Sequence, residues 1–187
     1  CYLHAPEYHP ILKMVAAART KVGRSIFNLL GPLLNPTSPK FQLVGVYNKK
    51  YLRIFAEVLR QQGTKKAWIA HGLDDGMDEI SISGPTQICE LDKGAIDTFI
   101  ITPEDAGLPR HPIESIKGGD AKHNAAALLR LLEGEKSAYR DIVLLNSAAA
   151  LLVAEKVETL EQGVKLAAES IDSGKALEVL AKLKTLD

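Results

Sequence analysis

Apolar residues in the first part of the chain recur at helical spacing and then gather into short runs. Ile11, Met14, Val15 and Ala18 lie three or four apart between Pro10 and Lys21, and Gly23 follows where a left-handed cap would close the turn. This spacing predicts a helix over residues 10–21. Residues 25–30 form a short apolar piece closed by Gly31-Pro32, and Asn35-Pro36-Thr37-Ser38-Pro39 reads as a rigid loop. A strand-like run over 42–47 carries Leu43, Val44 and Val46. A helix predicted over 50–62 follows, with Tyr51, Phe55, Val58 and Leu59 on one face and Gly63 at its end. Residues 67–70, with Trp68 and Ile69, form a second buried strand. Strand, helix and strand in that order make a βαβ unit, so the two strands are expected to be parallel neighbours in a covered sheet.

Further along, Ile80 and Ile82 alternate with Ser81 and Ser83 in the manner of a strand. Residues 86–91 and 95–101 then flank Asp92-Lys93-Gly94, a hairpin turn signal, which adds an antiparallel section and makes the sheet mixed. Beyond Thr102-Pro103 a Pro-rich stretch leads to Gly118-Gly119-Asp120, after which the pattern is helical. Leu128, Leu129 and Leu132 mark one apolar face, and Ile142, Leu145, Ala149 and Leu152 a second. Leu160, Val164, Ala167 and Ile171 mark a third, and Leu177, Leu180 and Leu183 a fourth. No internal repeat or long polar linker interrupts this order. The expected object is a single α/β unit over 1–187, a mixed sheet flanked by helices.

Composition narrows the function classes. Of 187 residues, 46% are hydrophobic, enough for an ordinary core, and 23 Lys plus Arg balance 23 Asp plus Glu. No global field draws such a chain to nucleic acid or an anionic membrane, so an anionic substrate has to be held by local charges. Lys65-Lys66 is a local basic cluster that keeps a nucleic-acid reading open. Cys1 and Cys89 form no Cys-x-x-Cys pair, and Cys89, in a strand, reads as a buried free thiol, which fits a reducing compartment. No apolar run approaches the roughly 18 residues of a membrane span, and no leader pattern is seen, so no membrane partner and a cytoplasmic location are expected. The opening Cys1-Tyr2-Leu3-His4-Ala5-Pro6 has no initiator Met and reads as the middle of a segment, so the chain is expected to be part of a longer one.

The loop His71-Gly72-Leu73-Asp74-Asp75-Gly76-Met77-Asp78-Glu79 follows the second strand directly. Ligands of open α/β sheets bind beyond the carboxyl ends of the strands, where this loop lies. Magnesium takes oxygen ligands and keeps several waters, so one or two carboxylates plus a substrate phosphate are the usual arrangement. Asp78 and Glu79 have that chemistry, with Gly76 permitting a tight turn. A solvated acidic loop has the same composition, and on these residues alone it is the commoner case. Arg19 and Arg24 flank the end of the first helix. A guanidinium can grip the carboxylate of a small aromatic acid in a two-pronged way, but cations are also favoured there by the helix dipole. His9, before Pro10, can line a pocket or simply occupy a turn. Gly118-Gly119-Asp120 has the glycines of a phosphate nest, yet a carboxylate would oppose phosphate, and Asp120 is better placed as a helix N-cap. His71 and His123 have no partners at zinc spacing. No Gly-x-Ser-x-Gly, P-loop or Gly-x-Gly-x-x-Gly occurs, which removes support for serine hydrolase, NTPase and dinucleotide-dependent readings.

Taken together, several motifs resemble the anthranilate phosphoribosyltransferases. They are Ala5-Pro6 with His9-Pro10, Arg19, the stretch from Ser25 through Phe27-Asn28-Leu29-Leu30-Gly31-Pro32-Leu33-Leu34-Asn35-Pro36, Leu43-Val44-Gly45-Val46-Tyr47, and Gly76-Met77-Asp78-Glu79-Ile80-Ser81. Gly84-Pro85-Thr86, Gly118-Gly119-Asp120, Leu144-Leu145-Asn146 with its alanine run, and Ile171-Asp172-Ser173-Gly174 complete the order. The resemblance implies the nucleoside phosphorylase/phosphoribosyltransferase-like fold, a helical domain hinged to a larger α/β domain. Residues 1–187 would belong to the larger one, with most of the helical domain absent.

It also implies the reaction: the amine of anthranilate attacks the anomeric carbon of phosphoribosyl pyrophosphate and pyrophosphate leaves, in tryptophan biosynthesis. Asp78 and Glu79 would hold Mg²⁺ associated with the pyrophosphate, and Arg19 would contact anthranilate. Ala5, Pro6, His9 and Gly31 would line the anthranilate cleft. No protein nucleophile is required, and a homodimer is implied for the full-length enzyme. The family's glycine-rich pyrophosphate loop and Lys-His-Gly-Asn-Arg segment are not in this sequence, so these 187 residues alone are expected to be inactive. Between Gly72 and Gly76 the loop has one residue more than the common family pattern, and Leu34 stands where threonine is frequent. Two rivals are a pyrimidine nucleoside phosphorylase of the same fold, against which Asp78-Glu79 and the 27–36 stretch argue, and a non-catalytic nucleic-acid-binding relative, which balanced charge disfavours.

Overall fold

The computed structural model describes Tyr8 and residues 27–185. The helix expected over 10–21 lies outside the described residues, as do Ala5, Pro6, His9 and Arg19. The described chain runs through α1 (Phe27–Leu33), β1 (Phe41–Gly45), a 3-10 turn (Lys49–Tyr51), α2 (Leu52–Gln61), β2 (Lys66–Gly72), β3 (Thr86–Asp92) and β4 (Ala95–Ile101). Two further 3-10 turns (Pro103–Ala106 and Ile113–Ile116) lead to α3 (Ala121–Leu132), α4 (Ala138–Val153), α5 (Leu160–Asp172) and α6 (Lys175–Leu183).

The sheet order is β1-β2-β3-β4. β1 and β2 are parallel, with Val44 opposite Ile69, and β2–β3 and β3–β4 are antiparallel, so the sheet is mixed as the pattern predicts. The β3–β4 hairpin turns on two residues, Lys93 and Gly94, at φ 48° and 91°. Positive φ at both central positions is the primed turn whose twist matches the strands it joins, and glycine supplies the second without strain.

β2 is buried from Ala67 to Gly72, which is why its sequence reads as a nearly continuous apolar run. Alternate side chains serve opposite layers. Ala67 and Ile69 join Leu52, Phe55 and Leu59 of α2, with Cys89 and Leu91 of β3. Trp68 and Ala70 join Ile88 and the α4 residues Ile142, Leu145 and Ala149. The sheet thus lies between α2 and α4, and each large aliphatic or aromatic side chain so buried contributes roughly 1.5–3 kcal/mol by leaving water. The Trp68 indole N–H is satisfied by Glu90 Oε1 at 2.8 Å, and its ring meets Phe99 edge-on at 5.4 Å.

Helix starts carry the expected caps. Asp120 accepts from the His123 N–H (2.8 Å), Ser137 from Arg140 and Thr159 from Gln162. Asp120 is therefore an N-cap, and the neighbouring Gly119 N–H is engaged by Asn124 Oδ1 at 2.8 Å, which closes the phosphate-nest reading. The outer layer is looser. Leu131 is the buried residue of α3, whereas Leu128, Leu129 and Leu132 are half-buried and Leu183 of α6 is exposed.

Two local expectations differ. The apolar piece at 25–30 does not stop at Gly31-Pro32, because α1 runs on to Leu33 and the Leu34 N–H still reaches the Leu30 carbonyl at 2.9 Å. Residues 80–83 form no strand. Ile80 and Ile82 are buried as the alternation implies, but Ser81 and Ser83 turn to a buried-side carboxylate rather than to a neighbouring strand.

α4 and α5 approach closely at Gly163, where an added Cβ would stand 2.7 Å from Cα and Cβ of Ala148. In an exposed helix a Gly-to-Ala change gains roughly 1 kcal/mol of propensity, whereas overpacking against backbone costs about 1–3 kcal/mol. Gly163→Ala should therefore destabilise the protein by roughly 1 kcal/mol net, read as a lower urea midpoint with an unchanged slope.

Candidate functional site

The site grows from the carboxyl ends of the two parallel strands. β1 ends at Gly45 and β2 at Gly72, and the chain between Gly72 and Ile80 forms the acidic loop. The buried His71 ties the two strand ends together, its Nδ1–H donating to the Val46 carbonyl at 2.8 Å. The loop closes on itself through Gly72 N–H to Met77 O (2.9 Å) and Gly76 N–H to Gly72 O (3.1 Å), while Leu73 N–H reaches Pro85 O at 2.9 Å. Gly76 sits at φ 71°, the left-handed conformation expected of it.

Asp75 is the anchor of this loop. Its carboxylate accepts from the Ser81 and Ser83 hydroxyls, each at 2.5 Å, and from the Met77 N–H at 3.0 Å. Burial pushes this carboxyl up, but the hydrogen bonds from Ser81, Ser83 and Met77 outweigh it and hold Asp75 below the ordinary carboxylate range.

Asp78 and Glu79 stand exposed beyond that anchor. An added Cβ at Gly45 would fall onto the Asp78 carbonyl, so the end of β1 and the backbone of the acidic pair are in direct contact. Ile80, next in sequence, is clamped by Asn146 of α4: its N–H donates to Asn146 Oδ1 at 3.0 Å, and Asn146 Nδ2 donates to its carbonyl at 2.9 Å. Glu79 borders an open cavity of about 420 Å³ against Tyr139, Ile142 and Asn146. Partial burial and then the negative charge of Asp78 push its carboxyl up. Two neighbouring carboxylates, one destabilised as an anion by its surroundings and its partner, fit a hard divalent cation that takes one or two protein oxygens and completes its shell with water and phosphate. No cluster of three or more His, Cys, Asp or Glu able to hold a metal occurs among the described residues, so the fit is to a shared site of this kind rather than an all-protein cage.

Two other sequence candidates lie on other elements. Gly31 lies in α1, exposed, with open space where a Cβ would stand. The basic cluster Lys65-Lys66 is paired: Lys65 Nζ lies 2.5 Å from Glu155, and Lys66 Nζ lies 3.5 Å from Glu90 and 3.3 Å from Asp92. Sequence reasoning passed over Asp75, Ser81, Ser83 and Asn146 as working parts. Two signals pointed to them: serines alternating with isoleucines where no strand forms, and an asparagine in an otherwise apolar helix.

Known proteins resemble this chain in sequence and fold. The model of the glycosyl transferase family, a/b domain, matches residues 1–177. The chain is 53% identical over 183 residues to an anthranilate phosphoribosyltransferase of Parvibaculum lavamentivorans, covering 97% of this chain and 53% of that protein. The anthranilate phosphoribosyltransferase of Thermus thermophilus superimposes with a TM-score of 0.84 at 39% identity, over 93% of this chain and 51% of its own. The Saccharomyces cerevisiae anthranilate phosphoribosyltransferase in complex with PRPP and Mg gives 0.83 at 29% identity, over 92% and 50%. The chain thus spans about half the length of the relatives it matches. Among the described residues no helix is long and apolar enough to cross a membrane.

The low-lying Asp75 carboxyl sets a pH signature. A carboxyl depressed in the folded state adds stability above its unfolded pKa of roughly 3.9, and that stability is lost as pH falls through the folded value. Asp75→Asn should therefore lower the melting temperature at neutral pH, with the gap to the parent closing on acidification below about pH 4. A gap independent of pH in thermal melts would remove the charged role of Asp75.

Proposed function

The chain belongs to the glycosyl transferase family through its a/b domain, and we propose that the protein transfers the phosphoribosyl group of phosphoribosyl pyrophosphate to the amine of anthranilate. The products are N-(5-phosphoribosyl)anthranilate and pyrophosphate, within tryptophan biosynthesis. The observation that carries this reading is the Asp78-Glu79 pair, held on a fixed loop at the carboxyl ends of the parallel strands, the position where open α/β sheets take their ligands. The yeast relative whose complex contains PRPP and Mg supports the same reading by its likeness over 92% of this chain. Residues 1–187 belong, in this proposal, to the larger α/β domain, and the remaining parts of the catalytic cleft come from protein beyond them.

Asp78 and Glu79 would hold Mg²⁺, which when bound would supply charge neutralisation for the departing diphosphate. Arg19 grips the anthranilate carboxylate with its planar fork, which fixes the amine toward the anomeric carbon, while Ala5, Pro6, His9 and Gly31 line the cleft that admits the ring. The amine attacks, the carbon–oxygen bond to pyrophosphate breaks, and the amine sheds one proton, so no covalent protein intermediate is involved. We place the protein in the cytoplasm and propose that it works as a homodimer.

Replacing Asp78 and Glu79 together by Ala in the whole protein should lower kcat on the order of 10²–10³-fold, the scale of one lost electrostatic stabiliser, with an unchanged melting temperature in metal-free buffer. Arg19→Ala should raise KM for anthranilate about 10–100-fold, as loss of a charged hydrogen bond of roughly 1.5–3 kcal/mol requires, and leave KM for phosphoribosyl pyrophosphate unmoved. Initial-rate kinetics varying each substrate and Mg²⁺ in turn separate these outcomes. Parent-like Mg²⁺ dependence in the double variant would remove the metal assignment, and equal losses for both substrates in Arg19→Ala would leave that residue a structural role.

A further inference from the structure

The two peptide groups that flank Glu79 are each fixed by a different part of the fold. On one side, the carbonyl of the Asp78–Glu79 peptide rests against Gly45, at the end of β1, so closely that no side chain fits between them. On the other side, the N–H of the Glu79–Ile80 peptide donates to Asn146 Oδ1 at 3.0 Å, and Asn146 Nδ2 donates to the Ile80 carbonyl at 2.9 Å. The second Nδ2 hydrogen goes to the Ile142 carbonyl one turn back on α4, at 3.0 Å. This amide has two donors and one acceptor, and all of them are used, which sets its orientation without ambiguity. A leucine at this position would offer none of these bonds, and an aspartate would lose both donations.

Fixing both flanking peptides fixes the backbone dihedrals of Glu79 and therefore the direction of its Cα–Cβ bond. Asn146 and Glu79 also border the same open cavity. We propose that Asn146 is a positioning residue: it holds the Glu79 backbone, and with it the Cα–Cβ bond from which the carboxylate reaches out beside Asp78, where a divalent cation requires it, and so sets cation affinity without itself touching the cation. This inference rests on the reading of Asp78 and Glu79 as a metal site. Its physical logic is that a carboxylate carried on a mobile backbone loses more conformational freedom on binding than one carried on a backbone already fixed.

The test titrates Mn²⁺, in the presence of inorganic pyrophosphate, into the whole protein and follows the free ion by electron paramagnetic resonance. Three proteins are compared: the parent, Asn146→Ala and Glu79→Ala. KM for anthranilate and the metal-free melting temperature are measured on each. Glu79→Ala should lose the protein-dependent part of Mn²⁺ binding, and Asn146→Ala should weaken it about tenfold, the low end of the effect of removing an outer hydrogen-bond partner at a metal site. KM for anthranilate should stay the same in Asn146→Ala. If Asn146→Ala does not fold, Asn146→Ser provides the same readout, since its hydroxyl still serves the Ile142 carbonyl but is too short to hold both sides of Ile80. Parent-like Mn²⁺ affinity in the folded Asn146 variant, with binding lost in Glu79→Ala, overturns the positioning role and leaves the metal reading intact. A proportional rise in both Mn²⁺ Kd and anthranilate KM with a lower melting temperature also overturns it. Parent-like binding in Glu79→Ala removes the metal reading itself, and the role of Asn146 with it.

Discussion

Strand β2 is buried on both faces, and most of the architecture answers to that constraint. A strand with no solvent face must find an apolar layer on each side, and α2 and α4 are those layers. Its hydrogen-bonding edges are equally committed, to β1 on one side and β3 on the other. Such a strand is held in one register, because a slip of one residue would exchange the Ala67-Ile69 and Trp68-Ala70 faces between layers of different shape. The end of β2 is therefore a fixed point, and the loop that leaves it starts from a rigid base.

That base makes possible what the loop does with charge. Four carboxylates lie close together in sequence, Asp74, Asp75, Asp78 and Glu79, and the fold treats Asp75 and Glu79 in opposite ways. Asp75 is turned inward and given three hydrogen bonds, which more than offset its partial burial and keep it an anion. Glu79 has neither that shell nor a neighbouring cation among the described residues, and partial burial and then the charge of Asp78 push its carboxyl up. One acid is satisfied by the protein and builds the loop. Its neighbours have no such shell among the described residues, a difference that a run of acids in sequence does not show.

The fold was legible in the residues to the extent that period and turn chemistry are local. The βαβ order, the parallel pair, the hairpin at Lys93-Gly94 and the four C-terminal helices follow from spacing over a few turns, and the structure contains them. The misreadings came where a distant partner decided the outcome. Ser81 and Ser83 looked like the outer positions of a strand because nothing in four residues reveals that Asp75 waits for their hydroxyls. Gly31-Pro32 looked like a stop, but proline near the end of a short helix removes a single hydrogen bond and the turn persisted to Leu33. The acidic pair was visible as chemistry and as family likeness, whereas its supports were not. Gly45 and Asn146 lie 33 and 67 residues from Asp78 and Glu79, and only the folded chain brings them together.

Helix α4 is where stability and chemistry share one element. Its inward face, with Ile142, Leu145 and Ala149, covers the sheet, and Arg140, buried near its start, pairs with Asp172 at the end of α5 at 2.8 Å. Asn146 belongs to the same rigid cylinder, one residue from Leu145 and one turn from Ile142. A close-packed interior transmits displacement instead of absorbing it, so a shift of α4 on the sheet moves the amide that holds Ile80 by a similar amount. The Glu79 backbone lies between that amide and the Gly45 contact, so it feels any such shift. The backbone of the acidic pair is thus set jointly by the β1 end and by the packing of α4. The core that stabilises the fold also places the backbone that carries these charges.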